Sequence, residues 1–403
     1  MLTNDPAKNP IEARVTPWRR GRYASSTAFA LQGFFLAVIL TELPHQKTQF
    51  GLTDTTLVLV VAAISLVAGG GSVIAERLAV RWSSAPALRC GLALIAVTGM
   101  GIAFAPDATW LIAMLVVYGV AVGMVDAGAN MQAVVVQHGY NRFILSSFYA
   151  AWSAGAIAGA LFVSVCEAGT VPLAWTIAAA AATVAAMTLV IGPGFVGTPD
   201  STPCPAEDSE VAPIPGKALL ALGIALALAF GIDLAVGNWS ALYLTDELLS
   251  SPAVAALALA AYQVAALLSR LAGDSLVRRV GPRTAARGAA VIGAAGLAIV
   301  VAAPNPAVAI TGFLITGIGL PIIAPLCFSE VGHRTAGRNL DTAVARLNIF
   351  NYAGTLIGGI VVGAVAAGTT LRMGFAVPLV FAAVLLAVAG FFPTRPGVRA
   401  AAH

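Results

Sequence analysis

The chain has 403 residues, of which 59% are apolar and 10% charged, with a formal net charge of +4. Soluble domains carry about 25% charged residues, so this composition excludes an ordinary globular fold and points to long segments in contact with lipid. The small positive charge sits in short gaps between apolar stretches, where it meets anionic headgroups; it needs no nucleic acid to explain it.

In chain order, residues 1–23 hold Pro6, Pro10 and Pro17 and lack an apolar core, so they read as a cytoplasmic N-terminal tail rather than a cleaved leader. Six apolar stretches follow within 24–192, near 24–43, 55–75, 85–105, 108–136, 143–166 and 171–192. Residues 193–216 then mix Pro193, Pro199, Pro203, Pro205, Pro213 and Pro215 with Asp200, Glu207, Asp208 and Glu210. Such a segment cannot bury enough apolar area to offset its ordering entropy, and reads as a cytoplasmic linker. Six more stretches fill 217–392, near 218–244, 253–273, 283–303, 307–331, 342–366 and 371–392, before a C-terminal cytoplasmic tail at 393–403. A helix rises about 1.5 Å per residue, so about 20 residues cross a hydrocarbon layer roughly 30 Å thick. Each stretch reaches that length, and the spacing predicts twelve transmembrane helices.

Alternate gaps hold Arg14, Arg19, Arg20, Arg22, Arg77, Arg81, Arg89, Arg142, Arg278, Arg279, Arg283, Arg287, Arg334, Arg338, Arg395 and Arg399. The opposite gaps hold only Lys47 and Arg372, with Asp54, Asp107, Glu167, Asp246 and Glu247. Cations resist transfer across the membrane during insertion, so this asymmetry places both termini in the cytoplasm.

The two sets of six helices read as repeats. Glu76 to Arg81 and Arg89 recur about 198 positions later as Asp274 to Arg279 and Arg287, and Gly33, Gly119, Gly155 and Gly159 find counterparts in Gly231, Gly317, Gly354 and Gly358. A duplicated six-helix unit with both termini on one side implies two halves related by an axis along the membrane normal, with a site between them.

The segment Ser72-Val73-Ile74-Ala75-Glu76-Arg77-Leu78-Ala79-Val80-Arg81 resembles the signature of the major facilitator superfamily between its second and third helices, with Ser72, Glu76 and Ala79 departing from the usual Gly, Asp and Gly. Its later copy, Ser269 to Gly281, keeps closer to pattern. Asp126 to Ala133, Ser146 to Ser153 and Asn238 to Leu244 look most like the fucose-permease-like branch, and particularly its YbjJ-type bacterial members. The resemblance covers about Phe29 to Phe392 and implies an all-α integral membrane fold of two pseudo-symmetric six-helix bundles. It also implies secondary transport by alternating access, with no enzymatic activity.

Beside that resemblance, the residues carry chemistry of their own. Glu76 with Arg77 and Arg81, and Asp274 with Arg270 and Arg278, are candidates for a charged latch that holds one packing of the bundles and breaks in another. The competing reading is that these charges only hold topology.

Ionisable side chains within the membrane are costly and by default functional. On the fourth helix Gly119, Gly123, Asp126 and Asn130 step by four, three and four and share a face. In the fucose-permease-like branch an acid before Asn at this place is associated with proton coupling, and the resemblance implies that role for Asp126. Glu42 on the first helix, which shares a face with Gln32 and Ile39, and Asp233 on the seventh are the other coupling candidates.

Asn130, Tyr149, Trp152, Asp233, Trp239, Gln263, Asn348 and Asn351 are the expected substrate-binding residues, with Tyr352 as an alternative to Asn351. Trp and Tyr also populate membrane boundary belts, so each could instead be interfacial. Pro321 and Pro325 break the tenth helix.

No phosphate-binding loop is present, and His45, His138, His333 and His403 do not cluster, so neither nucleotide hydrolysis nor a metal is expected. Cys90, Cys166, Cys204 and Cys327 lack metal-type spacing and read as free thiols. The expectation is therefore a monomeric multi-pass protein of the bacterial cytoplasmic membrane that needs no cofactor. It moves a small organic solute, with proton-coupled symport expected. The fifth helix lacks the Gly-Pro signature of the family's antiporters, which leans toward uptake. Proton-antiport efflux of a drug or amphipathic metabolite is the first alternative, and a non-transporting membrane sensor the second.

Overall fold

The structure, a computed structural model, describes residues 10–197, 216–335 and 338–394. The outer parts of both expected tails, most of the expected linker, Cys204 and His403 lie outside the described residues. Twelve helical spans are long and apolar enough to cross a membrane: α1 Pro17–Phe50, α2 Leu59–Arg81, α3 Ser84–Ala103, α4 Ala108–Tyr140, α5 Leu145–Ala168, α6 Leu173–Gly194, α7 Gly216–Glu247, α8 Ala253–Val280, α9 Pro282–Ala302, α10 Pro306–Arg334, α11 Asn339–Gly368 and α12 Leu371–Phe391. The described residues contain no strand. Large apolar side chains such as Leu66, Val165, Leu189 and Ile360 stand exposed around the bundle, as a lipid-facing surface requires.

The helices are longer than their apolar stretches. The helix of α1 starts at Pro10, inside the segment expected to be a tail, and it is packed on the bundle from Trp18, whose indole lies on Gly139 of α4, where a Cβ would come within 2.1 Å of it. In α10 the break falls at Leu320–Ile322, a 3₁₀ turn containing Pro321, and the helix resumes at Ile323 with Pro325 inside it.

Duplication is visible at the helix starts. Thr53 caps the helix carrying α2 by accepting the Thr56 amide, and 198 residues on Ser251 caps α8 by accepting that of Val254. Asp107 and Asn305 do the same for α4 and α10. Packing repeats too. In the first half α1 lies on α5, α2 and α3 on α4, and α3 on α6; in the second α7 lies on α11, α8 and α9 on α10, and α9 on α12. A Cβ on Gly119 would meet Ile64 O of α2 at 2.8 Å, and one on Gly317 would meet Tyr262 O of α8 at 2.4 Å. Equivalent helix crossings thus use equivalent glycines. The halves meet through α2 against α11 and α5 against α8, with α4 reaching α10 and α11.

Candidate functional site

At the end of the interface where the described residues begin and end, polar contacts join the halves. Both carboxylate oxygens of Asp274 on α8 accept backbone amides at the first turn of α5, Ser146 N at 2.8 Å and Ser147 N at 2.9 Å. An acid at a helix N-terminus satisfies donors that have no partner within the helix and meets the positive end of its dipole. One turn on, Arg278 donates to Phe143 O at 2.7 Å. On the α4–α10 side, His138 Nε2 lies 2.6 Å from Gly332 O and Ser329 donates to Gln137 at 3.0 Å.

Deeper in the interface stands Asp126. Gln32 of α1 donates to one oxygen and Tyr352 of α11 to the other, so its carboxylate ties the two halves together. One turn on, the Asn130 amide donates to the Asp126 carbonyl at 2.9 Å, and Asn130 Oδ1 accepts from Tyr149 Oη of α5 at 3.0 Å. Tyr149 lies against Phe29 and Phe328. Gly119 and Gly123 of the same stripe seat α2, while its polar end faces α1, α5 and α11.

Arg270 of α8 is buried in the same region. It donates to Ser153 of α5 at 2.6 Å and stands 6.0 Å from the Tyr149 ring centroid and 5.8 Å from that of Trp152. Beside it a small cavity is lined by Asp233, Tyr262, Pro321 and Ala324, with Tyr262 Oη donating to Asp233 at 2.6 Å. Trp152 and Ser153 also line a larger cavity of about 340 Å³, away from the termini, whose walls are Leu36 and Leu40 of α1, Ile157 and Ala160 of α5, and Leu259 and Gln263 of α8.

This arrangement, a polar core between two six-helix repeats, agrees with the comparisons. The sequence profile of the Major Facilitator Superfamily matches residues 3–160 and 219–402. The chain belongs to the major facilitator superfamily. It is 28% identical over 370 residues to an uncharacterised MFS-type transporter of Yersinia pestis, covering 90% of this chain and 93% of that one. It is equally 28% identical over 386 residues to an uncharacterised transporter of Sinorhizobium fredii, covering 93% and 98%. Among solved structures it is similar to the transporter FucP in its outward conformation, with a TM-score of 0.77, 19% identity, and coverage of 94% of this chain and 99% of that one. The proton:xylose symporter XylE follows, with a TM-score of 0.76, 13% identity, and coverage of 95% and 98%. The expected fold is therefore the observed one, and the chain is a secondary transporter of a small molecule rather than an enzyme.

Within this superfamily member the expected site residues divide. Trp152 and Gln263 line the larger cavity and Asp233 the small one, while Asp126, Asn130 and Tyr149 form a hydrogen-bonded group in the interface that lines neither. Asn348 is fully buried and donates to Ser72 of α2 at 2.9 Å, closing the α2–α11 crossing. Asn351 is buried beside Thr355. Trp239 lines neither cavity and lies on Gly363 of α11, because its face of α7 turns to its own bundle.

Glu42 lies buried at the far end, 2.9 Å from His45 Nδ1, with His45 3.6 Å from Glu167. Those three could surround an ion, a grouping that the spacing of histidines alone did not suggest. Gln32, expected beside Glu42, serves Asp126 instead.

The residues expected to form a latch have other partners than expected. Glu76 faces Arg346 of α11 at 3.9 Å rather than Arg77 or Arg81, and Arg81 stacks on Trp82. Arg270 turns toward α5 rather than to Asp274, because the α5 amides already occupy that carboxylate. Two buried acids escaped the sequence reading: Glu330, 3.7 Å from Arg334, and Asp341. Both fall at helix ends, where a polar residue looks solvated in sequence.

Proposed function

We propose that the protein is a proton-coupled symporter of a small organic solute, working as a monomer by alternating access in a bacterial cytoplasmic membrane, with both termini cytoplasmic. The moving bodies are residues 24–192 and 217–392, joined by the linker at 193–216. The observation that carries this reading is the Asp126 carboxylate, held by Gln32 of its own half and by Tyr352 of the other. An ionised carboxylate accepts strong hydrogen bonds from both donors, and a proton on it weakens that acceptance. Protonation thus loosens one tie between the halves, and the balance between their two packings shifts accordingly. Asp126 is the coupling residue in this reading because Asp233 is bonded within its own half and Glu42 to its own helix. The latch at Asp274 and Arg278 holds the termini end closed in the packing described.

The test is solute flux in proteoliposomes under an imposed pH gradient. Uptake driven by the gradient and abolished by Asp126→Asn is the expected result; flux indifferent to both removes the coupling. One observation favours a second reading, proton-antiport efflux: the apolar walls of the larger cavity suit an amphipathic cargo. It predicts flux against, rather than with, the inward proton gradient.

A further inference from the structure

We infer that Arg270 recognises an anionic head on a solute whose body is apolar, so that the cavity between α1, α5 and α8 takes an amphipathic organic monocarboxylate. This rests on the transporter reading above and names its substrate class.

Arg270 as a residue is 6% exposed, forms no ion pair among the described residues, and has a buried Nε without a hydrogen-bond partner. A buried cation of this kind is costly unless something pairs with it. Within bonding reach its neighbours supply one hydroxyl and two ring faces; the acid that shares the small cavity with it, Asp233, accepts from Tyr262 and makes no ion pair with it. A guanidinium presents its donors as a planar fork, which a carboxylate fits with two parallel bonds.

The repeat shows that the fold itself does not require this cation. Position 270 corresponds to 72 in the first half, 198 residues earlier, and Tyr149 to Asn348 at the offset of 199 that relates Gly155 to Gly354. At the first-half position Ser72 closes the α2–α11 crossing by accepting from Asn348, the counterpart of the Tyr149 over which Arg270 stands. A serine thus suffices to join equivalent helices, and the arginine is a departure specific to the α5–α8 side.

That side is also where the room is. Trp152 and Ser153, which Arg270 touches, line the cavity of about 340 Å³, whose walls are Leu36, Leu40, Ile157, Ala160 and Leu259. A head on Arg270 therefore leaves its apolar body against these residues, with Trp152 at the junction. Asp233 borders the small cavity on the other side of Arg270 and disfavours a second negative charge there.

The experiment compares 1-naphthylacetate with its neutral amide, 1-naphthylacetamide, by thermal shift and tryptophan quenching on the full chain in lipid nanodiscs. The acid is expected to bind about tenfold or more tightly than the amide, as the loss of charge-assisted hydrogen bonds implies. Arg270→Met should erase the preference and Arg270→Lys retain part of it. Equal binding of acid and amide, or binding of neither, overturns the assignment. The wild-type comparison and the lysine variant decide the matter even where Arg270→Met fails to fold. A neutral solute accumulated under a pH gradient sinks the anion assignment and leaves transport standing. Acid binding without exchange flux across vesicles does the reverse.

Discussion

Asp274 of α8 accepts the Ser146 amide of α5 at 2.8 Å, so an acid in the second half caps a helix of the first. Its other oxygen accepts the Ser147 amide at 2.9 Å, and opening at that end would break both bonds. Hydrogen bonds to a charged group contribute about 1.5–3 kcal/mol, so Asp274→Asn should shift the conformational balance about ten- to a hundredfold toward opening at that end. Spin labels at Arg142 and Arg279 on a cysteine-free background should report longer distances in the variant. An unchanged distance distribution counts against the latch.

Tyr352 is the donor through which Asp126 reaches the second half. Tyr352→Phe should leave the fold intact and lower gradient-driven flux by about tenfold, the scale of one charge-assisted bond. Asp126→Asn should retain solute counterflow while losing its response to pH. If Tyr352→Phe transports as the parent does, the bond between halves is incidental.

Glycines at the helix crossings test the packing. A Cβ on Gly155 would fall 1.9 Å from Ala30 O, and one on Gly354 2.1 Å from Ala227 O, both backbone atoms. Either alanine substitution should force its helices apart and cost about 1–3 kcal/mol. Gly237 has open space, so Gly237→Ala is the control. Thermal unfolding in detergent should rank the three accordingly.

Two tryptophans proposed from sequence should behave differently. Trp152 lines the cavity and stacks under Arg270, so Trp152→Ala should weaken solute binding by roughly tenfold, as loss of a buried aromatic anchor does. Trp239 lies on Gly363 within its own bundle, so Trp239→Phe should leave the dissociation constant unchanged. Equilibrium binding to the two variants separates the roles.

The number of spans, the duplication and the two-bundle architecture were legible in the residues, because hydropathy and charge placement are local properties that each segment states for itself. Asp126, Tyr149 and Trp152 were also legible as candidates, since a polar or aromatic group at bilayer depth stands out against its neighbours. Which groups meet was not. Asp126 is 94 residues from Gln32 and 226 from Tyr352, and helical periodicity orients a side chain without saying which helix lies opposite. For the same reason the latch was placed within single segments, whereas the carboxylate found its partners in backbone amides 128 and 127 positions away. Tertiary packing decided that Arg270 stands in the interface without an ion pair among the described residues, because only the docking of α8 on α5 brings it over Tyr149 and Trp152 and leaves Asp274 already satisfied.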